Sequence, residues 1–98
     1  MRDIKRIKEV VRGALADDFD NIKIIDIQVR EDTDANDDDI LRVFVIFEGT
    51  PKDEDVEKLS GAVRRVRPEL RSKLDESAFP LFSFISKVDA GDRNFEAA

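Results

Sequence analysis

The chain lacks cysteine, histidine, tyrosine and tryptophan altogether, and its 98 residues include only four glycines, three prolines and one methionine. Without cysteine there is neither a disulfide nor a thiolate metal site. Without histidine the usual general base, the commonest zinc ligand and the Ser/His and Cys/His nucleophile systems are missing together. Positive charge is in the minority: 17 Lys and Arg stand against 23 Asp and Glu, a net charge of −6. That balance opposes attraction to a phosphate backbone by the molecule as a whole. Long apolar runs are missing too. Nothing approaches the roughly 20 apolar residues of a membrane span. Residues 1–16 alternate charge with single apolar residues and do not form the h-region of a signal peptide. The expectation is a cytoplasmic protein that binds no cofactor and no membrane.

What is present is clustered and periodic. The length suits one core, and although charge stands at 41%, so does the hydrophobic fraction. Ile4, Ile7, Val11 and Ala14/Leu15, three and four apart, predict an amphipathic helix with Asp3 as its N-cap. KIIDIQVRE then alternates, which predicts a half-buried strand with Ile25, Ile27 and Val29 inward and Ile24 among the polar residues. DTDANDDD (32–39) reads as the acidic tip of a hairpin, and ILRVFVIFE as its second strand, with Leu41, Val43, Val45 and Phe47 on one face and Phe44 and Ile46 on the other.

A second helix is expected from Thr50 and Pro51, with Asp53, Glu54 and Asp55 at the positive end of its dipole. Its apolar stripe reads Val56, Leu59, Val63, Val66, Leu70 and Leu74, with a kink or break near Arg67-Pro68. A third strand over 80–88 follows, and 89–98 reads as a flexible tail. The fold class is therefore α+β: a single domain over 1–88, two layers in the order α-β-β-α(α)-β, with helices mainly on one face of a three-stranded sheet. With the long helix split, this order resembles the type II KH arrangement and the BolA-like fold.

The candidate sites sort by what their chemistry requires. Asp32, Asp34 and Asn36 fit positions 1, 3 and 5 of an EF-hand loop, but Asp37 stands at its glycine position and Val43 at its bidentate glutamate. The acidic segment 31–39 is thus read as a solvated hairpin tip and no metal site is assigned. Arg64, Arg65, Arg67, Arg71 and Lys73 form a basic patch, the candidate for an anion or nucleic acid. The KH resemblance would place a GxxG loop there, whereas SGAVRRVRP has Gly61 alone, and no aromatic is interleaved for base stacking. A KH-like nucleic-acid binder is therefore the alternative reading. No catalytic constellation emerges, because the serines have no histidine and the paired carboxylates lie in a solvated loop. A non-enzymatic protein is expected.

The remaining candidate is the far face of the sheet. In FPLFSFISK the parity rule sends Phe82 and Phe84 to the core and leaves Leu81 and Ile85 outside. Together with Ile24, Phe44 and Ile46 these make a five-residue apolar face, on the scale of the several hundred Å² that marks an interface. Either a protein partner or a second copy in a homodimer covers it, or a crossing helix or Phe95 of the tail does. VRRVRPEL and FPLFSFISK, following an acidic hairpin and DILRVFVIFE, resemble segments of small uncharacterised bacterial proteins encoded beside HEPN-domain proteins, in an arrangement similar to toxin–antitoxin pairs. The resemblance implies an antitoxin-like companion that acts by binding its neighbour, and it assigns no functional residue.

Overall fold

Two long strands, two long helices and a third strand account for most of the chain. The computed structural model describes residues 2–16 and 19–90, with the side chains of 89 and 90 excepted. The elements are α1 (Ile4–Ala14), β1 (Ile22–Thr33), β2 (Asp39–Gly49), α2 (Asp53–Leu74), β3 (Phe79–Ser86) and α3 (Lys87–Ala90). This is the expected α+β order, closed by one extra helical turn. Strand order is β1-β2-β3, with β1 antiparallel and β3 parallel to the central β2. Parallel neighbours need a long crossover, and the segment carrying α2 supplies it.

Burial explains the layering. Ile7, Val10, Val11 and Ala14 of α1 and Leu59, Ala62, Val66 and Leu70 of α2 share one core with Ile22, Ile27, Leu41, Val43, Val45 and Phe47 of the sheet. Both helices therefore lie on the odd-numbered face of β2. Asp3 caps α1 as expected, its Oδ1 accepting the Arg6 N–H at 3.2 Å. At the other end of α1, Arg65 of α2 donates to the Ala14 carbonyl at 3.2 Å, satisfying one of the orphan acceptors of that helix end.

The second helix departs from expectation in three ways. It starts at Asp53 with Lys52 as N-cap, because Asp55 accepts the Lys52 N–H at 2.9 Å and fixes the first turn there rather than at Thr50. It runs unbroken through Pro68. That residue is exposed, so the carbonyl four positions back that loses its donor can turn to water. Its buried stripe is Leu59, Ala62, Val66 and Leu70, whereas Val56 is half-exposed and Val63 partly covered. Ala62 takes the inward position, and the two valines fall on the flank of that stripe.

The hairpin also corrects two side-chain assignments. The β1–β2 register slips between Ile24 and Asp26, so Ile24 opposes Phe47, Asp26 opposes Ile46, and Ile25 has no opposite number. This bulge reverses the parity upstream of it. Ile24 consequently packs against the core and Ile25 is 39% exposed, the reverse of simple alternation. The strands also run into the acidic segment and leave a turn at 34–38. There Asp34 Oδ1 accepts the N–H groups of Asn36 and Asp38 at 2.8 and 3.0 Å, while Asp37 takes the left-handed φ of 62°. At the opposite end of the hairpin Gly49 has φ 102°, and a Cβ there would fall 2.2 Å from the Asn21 carbonyl.

Candidate functional site

The five residues expected to form an apolar far face do not act as a set. Ile24 belongs to the core side. Ile46 is buried at 8% exposure, Phe44 and Ile85 are partly covered, and only Leu81 is open at 41%. Across β1 the same face carries Asp26, Gln28, Arg30 and Asp32, opposite Ile46, Phe44, Arg42 and Ile40. Half of that face is therefore polar. Phe95, the other candidate cover, lies outside the described residues.

Exposed apolar surface collects instead where α2 meets β3. Phe84, expected in the core, is 36% exposed, and Phe79 and Val56 are 45% and 50% exposed. Together with Leu81, Val63, Pro51 and Phe82 they line an open groove of about 770 Å³ between the helix and the strand. Its origin is geometric. α1 packs against β1, and α2 packs against α1 and β3, with Phe84 at the outer edge of β3 left partly uncovered. Parallel pairing sets Phe82 beside Val43 and Phe84 beside Val45, so both rings point to the helix side as the parity rule requires. Phe82 reaches the core, and Phe84 stacks against it at 6.0 Å without being covered.

Charged residues rim this groove. Arg64 lines it, and the Arg67 guanidinium sits 4.9 Å from the centre of the Phe79 ring, in cation–π range. The basic patch is otherwise dispersed. At about 100° per residue, Arg64, Arg67 and Arg71 fall within about 60° of one another, while Arg65 and Lys73 lie about 100° and 180° from Arg64. Arg65 is drawn to α1, and Lys73 pairs with Glu69 one turn back at 3.8 Å. No single surface presents all five cations.

The acidic tip is partly neutralised from within. Arg42 meets Asp32 at 2.6 Å, and Arg2 bridges Glu76, Glu31 and Asp39, tying the chain start to both hairpin strands and to the approach to β3. The Arg42 guanidinium, helped by the Thr33 N–H, holds the Asp32 carboxyl below the usual range. Burial pushes the Glu76 carboxyl up, but the Arg2 guanidinium and the N–H groups of Ala78 and Ser77 outweigh it, and the carboxyl lies low. At the start of α2 the Lys52 N–H and the Asn21 side chain hold the buried Asp55 carboxyl low against its desolvation. Each of these three shifts has a structural partner. No group of three or more His, Cys, Asp or Glu side chains placed to hold a metal ion occurs among the described residues.

The sequence did contain a signal for the groove, since FPLFSFIS has no charge at either parity. Its position at a sheet edge, which decides whether that surface is free, was not legible. Comparison with family models, with characterised proteins and with solved structures finds no match for this chain.

Proposed function

We propose that the chain is a non-enzymatic protein-interaction module, an antitoxin-like companion in the sense its sequence resemblance implies, which binds through the α2–β3 groove and the outer edge of β3. One observation carries this. Six large apolar residues are exposed among those described, and four of them (Val56, Phe79, Leu81 and Phe84) line this one groove. Scattered apolar exposure is ordinary, whereas concentration in one concave, unpaired place marks an interface. The polar far face and the dispersed arginines are weaker candidates on the same reasoning.

A photo-crosslinking amino acid at Phe84, with a control at the exposed turn residue Ala35, tests the proposal in cells. Crosslinks to protein at Phe84 and none at Ala35 are expected. No protein adduct at Phe84 would sink the reading.

A further inference from the structure

We infer that the surface offered by β3 is occupied by a second copy of this chain, paired antiparallel through β3 about a twofold axis at Ser83. This inference rests on the interaction-module reading above and names its partner.

The edge itself comes first. β3 is hydrogen-bonded to β2 on one side only, and Phe79–Ser86 carries no charged residue. No bulge interrupts its register with β2, and Pro80, near its start, is the one residue of the kind that discourages pairing. α3 packs against β2 as well as β3, and Lys87 at its start reaches inward to Glu48 of β2 at 3.6 Å. It therefore does not lie along the outer edge. An uncharged, regular edge strand eight residues long is a ready template for another strand.

The order of side chains says which strand. Leu81-Phe82-Ser83-Phe84-Ile85 reads the same in both directions by residue character. Directly opposed residues of an antiparallel pair share a face. A twofold axis normal to the sheet at Ser83 therefore sets Phe82 against Phe84 of the copy on the helix side. On the far side it sets Leu81 against Ile85 of the copy. Aromatic meets aromatic, aliphatic meets aliphatic, and the smallest side chain of the five lies on the axis. A twofold axis at Phe82 would set Leu81 against Ser83 and Pro80 against Phe84, losing both matches. A foreign strand would impose no such symmetry on β3, whereas a second copy requires it.

Shape agrees with the same register. The floors of the two grooves, Phe82 and Phe84 from each copy, become continuous across the axis. The exposed part of Phe84 is then covered.

The absence of native cysteine makes the test clean. In the proposed pair the two Ser83 Cα atoms lie about 4.5–5.5 Å apart, within disulfide reach. Two Leu81 residues would be about 14 Å apart and beyond it. Under mild oxidation Ser83→Cys is expected to link to itself almost completely, Leu81→Cys alone to link slowly, and an equal mixture of Leu81→Cys and Ile85→Cys to form the mixed disulfide. The unmodified chain should sediment at twice its monomer mass at about 100 μM, with Leu81→Glu raising the dissociation constant at least tenfold. Sedimentation as a monomer at that concentration would overturn the inference. So would a dimer in which Ser83→Cys links no faster than Leu81→Cys. Should Phe84 crosslink to a different protein while the pure chain stays monomeric, the second copy is refuted and the module reading stands. Absence of any protein at Phe84 refutes the module reading itself.

Discussion

The sheet has two edges, and they are built on opposite principles. β1 carries Lys23, Asp26, Arg30, Glu31 and Asp32 within Ile22–Thr33 and is bent by the bulge at Ile24 and Asp26. It also ties up its own donors, since Asp26 Oδ1 accepts the Ile27 N–H at 2.9 Å and Asp32 Oδ1 accepts the Thr33 N–H at 2.8 Å. Charge, bulge and self-bonded amides are the devices by which edge strands refuse neighbours. β3 has no charge and no bulge, and it stands beside a groove lined with half-covered aromatics. One small sheet therefore has one edge built against strand pairing and one edge without those devices.

The largest effect is expected where the end of β2 meets the start of β1. Gly49→Val places a side chain against the Asn21 carbonyl in a backbone conformation that β-branched residues avoid. It should destabilise the fold by at least about 3 kcal/mol, since strain and steric overlap add, and chemical denaturation would measure it. A pair of identical truncations then separates core from edge. Leu41→Ala, at full burial in β2, should cost about 2–5 kcal/mol. Leu81→Ala, next door on β3 and already 41% exposed, should cost less than about 1 kcal/mol in the monomer. Equal costs would mean that β3 is kept for stability rather than for binding.

Smaller effects sharpen the picture at the tip. Arg2→Ala removes the shared partner of Glu76, Glu31 and Asp39 and should cost roughly 1–3 kcal/mol, most of it from the mostly buried Glu76. Acid titration gives a smaller, signed effect. Glu76 and Asp55 both have folded-state carboxyls below their ordinary values. Their contribution is fully present above the ordinary carboxyl range near pH 4 and is lost as pH falls through the lower folded-state values. Stability followed by circular dichroism should therefore decline as pH drops below about 4, and Glu76→Gln should flatten part of that decline.

Much of the architecture was legible in the sequence, because period and turn chemistry are local properties. The spacing of Ile4, Ile7 and Val11, the alternation around Val43 and the acidic first turn of α2 each specify their element. Three features were not legible, each for its own reason. The bulge that exchanges Ile24 with Ile25 depends on how two strands register, which no single strand encodes. Pro68 costs the helix less where the freed carbonyl faces water, and burial is a tertiary fact. The open apolar surface was expected on the sheet face opposite the helices, because parity assigns Phe84 to the core side. Parity could not show that α2, although it packs against β3, leaves a core-side residue at the edge open.

On this proposal β3, and not β1, is the edge that meets a partner. Amide hydrogen exchange of the pure chain, measured from about 1 μM to several hundred micromolar, tests it most directly. Protection of amides in β3 should rise with concentration while those of β1 stay unchanged. Protection independent of concentration at both edges, or a rise confined to β1, would contradict it.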